Sequence, residues 1–271
     1  MKDGIRQKVR SSIPNALTLC NSLCGFAAIL YTLRAYEHPE NALNVFSVSA
    51  VMIFSAMVFD ALDGFVARIL HASSMEGIQM DSLSDMVTFG VAPATLVAIM
   101  THSLREWDLK WAQEILVYAL CAIYLGCAAL RLAIYNVQAI DPSRRIAPSG
   151  HFSGLPSPGA AAAICVVVLF AKECRFDLYR LAFALPIYAG LLGLLMVSRI
   201  QYLHAGKWLI SMVHSPKKMM FFAVLLAIAI IGRAAGLTLI VTGYILSGPI
   251  QALVKKCRPR AAAAAAEGRQ E

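Results

Sequence analysis

Apolar residues gather along this chain into long runs, at about 13–33, 43–70, 77–100, 112–137, 160–171, 181–197, 219–231 and 236–254, with short polar stretches between them. A helix needs ~20 apolar residues to cross a hydrocarbon core about 30 Å thick, and most of these runs reach that length. The pattern predicts an all-α, polytopic membrane bundle of about eight transmembrane helices. Breakers mark the junctions, such as Pro39 in YTLRAYEHPENA and the Pro/Gly/Ser-rich stretch DPSRRIAPSGHFSGLPSPG at 141–159. The fifth run is short, which places its start inside that stretch. Pro14 suits the first turn of the first span, and Gly248 with Pro249 is expected to bend the last. Residues 198–218, with Tyr202, Trp208 and several cations, read as an amphipathic interfacial segment.

Composition strengthens the membrane reading. Of 271 residues 59% are hydrophobic and only 15% charged, and mean hydropathy is +0.65; soluble domains are typically ~45 to 50% apolar. Eight spans and their loops consume the length, leaving no separate soluble domain. The expected division is a basic arm at 1–12, a transmembrane catalytic domain at 13–254 and a basic, Ala-rich tail at 255–271, read as a frayed end. Within the domain, the core occupies about 13–200 and a further helical hairpin about 219–254. The first run is too long for the ~7 to 15 residue apolar region of a signal peptide and is read as a retained helix.

The net charge of +8 raises the question of nucleic acid, and position answers it. Lys2, Arg6, Lys8 and Arg10, then Arg144 and Arg145, Lys217 and Lys218, and the cluster from Lys255 to Arg260 all sit at junctions between spans. Alternate junctions hold most of the cations, which places both termini in the cytosol, and aromatic interleaving for base stacking is lacking. No nucleic acid partner is expected. The seven cysteines, Cys20, Cys24, Cys121, Cys127, Cys165, Cys174 and Cys257, are scattered and read as small hydrophobes.

Against this background residues 60–85, DALDGFVARILHASSMEGIQMDSLSD, are anomalous. Asp60, Asp63, Asp81 and Asp85 make up a quarter of the 16 acidic residues, and each ionised group within a membrane span costs at least ~2.5 to 3.5 kcal/mol. Asp60 and Asp63 share one helix face with Gly64 and Arg68, and Gly77, Asp81 and Asp85 follow at four-residue steps on the next span. Facing carboxylate pairs form an oxygen cage suited to Mg²⁺ or Mn²⁺, with neither His nor Cys among them to favour zinc. Two ions are expected, the arrangement that recurs in phosphoryl chemistry. Gly64 leaves room for a ligand against the helix backbone and Arg68 can grip phosphate oxygens, so the implied substrate is a metal-bound pyrophosphate. A divalent-cation transporter is the alternative from another class. It would need no Asp-Gly-x-x-Ala-Arg sequence.

The same stretch resembles the signature of the CDP-alcohol phosphotransferase family, DxxDGxxAR, eight residues, then GxxxDxxxD. Every fixed position is matched, by Asp60, Asp63, Gly64, Ala67, Arg68, Gly77, Asp81 and Asp85. The resemblance implies that Asp60, Asp63, Asp81 and Asp85 hold the metals and that Asp85 is the general base. It also implies that Asp60, Gly64, Arg68 and Gly77 contact the CDP group. The flanks IPNALTLCNSLCGFAAI, MDSLSDMVTFGVAPA, ALRLAIYN and FSGLPSPGAA look most like bacterial family members that use serine as acceptor. That likeness implies phosphatidyl transfer from CDP-diacylglycerol to L-serine at the cytosolic face of the inner membrane, by a homodimer.

For the serine carboxylate, Arg131 is the leading candidate because it is a cation inside a span; Asn136, Arg144 and Arg145 are further candidates. The rival acceptors are glycerol 3-phosphate, inositol phosphate and choline. A phosphorylated acceptor calls for more cations near the aspartates than Arg131 and the 144–145 pair supply. His151 lies in a stretch placed to cover the site.

Overall fold

The computed structural model describes residues 2–70, 75–103, 111–140, 151–174, 178–203, 229 and 231–267. Helices dominate: α1 Lys2–Leu33, α2 Ala42–Leu70, α3 Met75–Asp85, α4 Ala92–Ser103, α5 Trp111–Ile140, α6 Ser157–Glu173, α7 Leu178–Val197 and α8 Arg233–Glu267. Among the described residues five helical runs are long and apolar enough to cross a membrane, Ser12–Leu33, Pro39–Leu70, Met75–Ser103, Trp111–Gln138 and Arg233–Val254, and Leu181–Val197 adds a shorter apolar one. The chain is therefore an all-α, multi-pass membrane protein. The run at 219–231 falls almost wholly outside the described residues.

Helix α6 is the centre of the bundle. It packs against α2, α4, α7 and α8, and Ala160, Ala161, Ala163, Ile164, Cys165 and Val168 are fully buried. Its alanines let neighbouring backbones approach closely, which is how helices associate in lipid, where no hydrophobic force drives them together. Pro156 caps α6 and Pro158 sits in its first turn, where a missing N–H is harmless. The short fifth span thus starts within the Pro/Gly stretch, as its length implied.

Three features depart from the pattern. Helix α1 extends back to Lys2, so Pro14 lies inside it rather than in the first turn. Helix α8 runs on to Glu267 instead of fraying after 254, in keeping with the high helix propensity of its alanines. The third apolar run is not one α-helix: between α3 and α4, Met86–Val91 winds as a π-helix. Such inserts are rare and concentrate at functional sites. Pro93, just beyond, has no N–H to offer the preceding turn, and the Phe89 carbonyl instead accepts a 2.8 Å hydrogen bond from the buried Tyr124 hydroxyl of α5.

A two-stranded antiparallel ribbon joins β1 His151–Ser153 to β2 Gln201–Leu203, pairing Phe152 with Tyr202. It ties the end of the Pro/Gly stretch to the segment after α7. Tyr202 is fully buried, donates to the Ile245 carbonyl of α8 at 3.1 Å and lies against Gly248. A Cβ at Gly248 would sit 2.6 Å from Tyr202 Cε1. That glycine serves a close approach. At the other end of α8, Glu173 accepts from the Ala234 N–H at 2.9 Å and pairs with Arg233 at 3.4 Å.

Gly248→Ala should therefore lower the apparent thermal midpoint in detergent more than Tyr202→Phe does. Overpacking costs about 1 to 3 kcal/mol, whereas the phenylalanine loses one hydrogen bond worth about 0.5 to 1.5 kcal/mol. Equal midpoints for wild type and Gly248→Ala would contradict this contact.

Candidate active site

Helix periodicity stacks Asp60 and Asp63 on one face of the last third of α2, and Asp81 and Asp85 on one face of α3. The fold turns these faces toward each other. One carboxylate oxygen from each of Asp60, Asp63 and Asp81 lies within 4.8 Å of the others. Asp85 stands beside this triad, within electrostatic reach of Asp60, Asp63 and Asp81. Asp63 is buried and the other three are half-buried. At such spacing each ionised pair repels by about 3 to 4 kcal/mol at an effective dielectric constant near 20. A donor set of carboxylate oxygens, held this close, fits a hard divalent cation such as Mg²⁺ or Mn²⁺.

Helix α1 forms a wall of the site, a role that sequence reasoning missed. Thr18 and Asn21, one turn apart and both buried, face the aspartates. The Thr18 hydroxyl donates to Asp63 Oδ2 at 2.8 Å, and the Asn21 amide donates to Asp85 Oδ1 at 3.3 Å. Two bonds run back from α3 and the π-helix to α1: the Ser84 hydroxyl donates to the Thr18 carbonyl at 2.9 Å, and the Thr88 hydroxyl to the Asn21 carbonyl at 3.2 Å. Gly25, the next step along this face, lets the Thr88 backbone approach, since a Cβ there would lie 2.8 Å from the Thr88 Cα. The spacing Thr18, Asn21, Gly25 inside an apolar span was the available signal.

The CDP-contact candidates line the open side. Among the described residues a Cβ on Gly64 would meet only an Arg68 nitrogen, at 3.9 Å, which leaves room there for a ligand against the α2 backbone. Arg68 is exposed and donates through Nε to the Gly64 carbonyl at 2.7 Å, holding its guanidinium along the helix. Gly77 lies half-buried in α3, one turn before Asp81.

The acceptor candidates divide. Arg131, on α5, donates through Nη1 to the Ser157 hydroxyl at the start of α6 at 2.9 Å. Asp85, Tyr135 and Tyr244 lie within its electrostatic reach. The structure thus brings Arg131 to the aspartate end of the bundle, and adds Ser157 and Tyr244 to its surroundings. Asn136 lies farther along α5 and accepts a 2.7 Å hydrogen bond from Ser82 of α3, so it ties the two helices together. Arg144 and Arg145 lie outside the described residues. His151 belongs to β1.

Comparison with known proteins gives the family. Residues 11–197 match the family model for CDP-alcohol phosphatidyltransferase. Several curated relatives bear the name CDP-diacylglycerol–serine O-phosphatidyltransferase. The one from Bacillus subtilis is 34% identical over 199 residues, covering 72% of this chain and 92% of its own. That from Methanocaldococcus jannaschii is 33% identical over 223 residues, covering 82% of this chain and 84% of its own. The Mycobacterium tuberculosis relative is 35% identical over 164 residues, or 60% of this chain, and the match spans only half of that longer protein. With the family model matched over more than half of its length, the chain belongs to the CDP-alcohol phosphatidyltransferase family.

Proposed function

We propose that this protein transfers the phosphatidyl group of CDP-diacylglycerol to the hydroxyl of L-serine, releasing CMP. The observation that carries this reading is the clustering of oxygens of Asp60, Asp63 and Asp81 within 4.8 Å, with Asp85 beside them, next to Gly64, which the described residues leave uncovered. The choice of serine draws support from the names of the relatives in Bacillus subtilis and Methanocaldococcus jannaschii. Arg131, an internal cation within electrostatic reach of Asp85, agrees with it.

In this mechanism Asp60, Asp63, Asp81 and Asp85 would hold two divalent ions, Mg²⁺ or Mn²⁺, and these would supply charge neutralisation to the pyrophosphate. Asp60, Gly64, Arg68 and Gly77 hold the CDP group, with the Arg68 guanidinium swinging from the Gly64 carbonyl to phosphate oxygens. Arg131 pairs with the serine carboxylate. Asp85 takes the proton from the serine hydroxyl as its oxygen forms a bond to the phosphorus that carries diacylglycerol. The bond from that phosphorus to the bridging oxygen breaks, and CMP leaves with the electron pair.

The active site opens to the cytosol in this reading. Eight spans cross the inner membrane with both termini inside, 219–231 supplies the seventh, and the protein acts as a homodimer. The catalytic core occupies about 13–200, followed by a further helical hairpin at about 219–254. The basic clusters at the chain ends and at 144–145 support this orientation.

Three measurements test the proposal. Purified protein incubated with CDP-diacylglycerol should release CMP with serine, but not with glycerol 3-phosphate, inositol phosphate or choline, and a chelator should stop release until Mg²⁺ or Mn²⁺ is restored. Release with another acceptor alone would reassign the substrate; indifference to chelation would remove the metals. Asp85→Asn should lower kcat by about 10² to 10⁴, with nucleotide binding largely kept, and a near-normal kcat would end its role as base. Arg131→Ala should raise the serine KM by tenfold or more, since a charge-assisted bond is worth about 1.5 to 3 kcal/mol. An unchanged serine KM would exclude it from the acceptor site.

A further inference from the structure

We infer that Asn21 of α1 is a positioning residue for the reaction, holding one oxygen of Asp85 so that the other is presented to the acceptor hydroxyl. This rests on Asp85 acting as the base, and it adds a residue outside the aspartate signature.

Asn21 is fully buried, yet only half of its amide is used. The Nδ2 group donates to Asp85 Oδ1 at 3.3 Å, while Oδ1 of Asn21 has no hydrogen-bond partner among the described residues. A buried, unpartnered carbonyl lowers stability, and a leucine of similar shape would carry no such penalty. The amide is therefore unfavourable for packing, and the one polar contact that it makes is to Asp85. Turning the amide over would set its oxygen against Asp85 Oδ1 in place of a donor, so the observed orientation is the one that gives Asp85 a hydrogen bond.

Three contacts keep Asn21 from drifting. The Ser84 hydroxyl bonds the Thr18 carbonyl, the Thr88 hydroxyl bonds the Asn21 carbonyl itself, and Gly25 admits the Thr88 backbone. Ser84 and Thr88 bracket Asp85, one from the end of α3 and one from the π-helix. The donor and its acceptor are thus clamped by backbone contacts on both sides, as orientation of a catalytic group demands. Thr18 gives Asp63 a matching bond, so one face of α1 orients a carboxylate from each of the two facing helices.

The test compares Asn21→Leu with wild type, in detergent and at saturating metal, using the acceptor that wild type prefers. Folded Asn21→Leu should show a kcat at least fivefold lower and a KM for CDP-diacylglycerol within twofold, with a thermal midpoint no lower than wild type. A kcat loss below fivefold, or an effect confined to KM, overturns the inference. If Asn21→Leu does not fold, the smaller Asn21→Ser is judged by the same criteria, and failure of both to fold makes Asn21 structural and overturns it too. An active Asp85→Asn enzyme would instead refute the base assignment. Normal Asn21→Leu turnover beside an inactive Asp85→Asn enzyme would refute only the role of Asn21.

Discussion

Mutual repulsion among the carboxylates of Asp60, Asp63, Asp81 and Asp85 governs how this end of the bundle is built. Three of them place oxygens within 4.8 Å of one another, and the fourth lies within electrostatic reach of all three. Helices α2 and α3 would be driven apart at this point if nothing opposed the charge. Part of the opposition is built in, because the neutral donors Thr18 and Asn21 each reach one carboxylate. The remainder calls for cations, and a purely carboxylate donor set selects hard ones. Affinity for a divalent ion and stability of the site are therefore two aspects of the same repulsion.

That demand explains the arrangement of α1 and the π-helix. An uninterrupted α-helix through 86–91 would rotate the residues after Asp85 onto different faces. With the π-helix in place, Thr88 meets Asn21 and Gly25 while Phe89 and Gly90 are buried. The irregular turn remains tolerable in an apolar setting because Tyr124 satisfies the Phe89 carbonyl. The Phe89 carbonyl and the carboxylates of Asp63 and Asp85 are thus met by donors from other helices, and the bonds to the carboxylates also fix where those site residues stand.

The C-terminal part lies beyond the residues that match the family model, yet it is joined to the site side of the bundle. Tyr244 of α8 lies close to Arg131 and packs against Gly159 and the Tyr202 ring. Tyr202 in turn is the residue that the short ribbon inserts between β1 and α8. Loosening α8 would disturb the cradle around Arg131 as well as the helix packing.

Much of this was legible in the chain. Apolar runs located the helices because the lipid core imposes a length on them, and the signature spacing put the four aspartates on two helix faces because helical periodicity is fixed. Arg131 was conspicuous as a cation where lipid tolerates few. The π-helix was not legible, since Met86–Val91 is as apolar as an α-helical span and its winding depends on what Pro93 and Tyr124 do in three dimensions. Nor was the packing of Tyr202 on Gly248, which joins residues far apart in sequence and leaves no periodic trace; the glycine and proline there were expected only to bend the helix. Sequence alone determined that this is a membrane bundle with a carboxylate-rich site and a family signature, because hydropathy and helical spacing are local properties. Tertiary structure alone decided which uncharged residues hold those carboxylates, because a hydrogen bond such as Asn21 to Asp85 spans 64 positions and exists only once α1 has packed against α3.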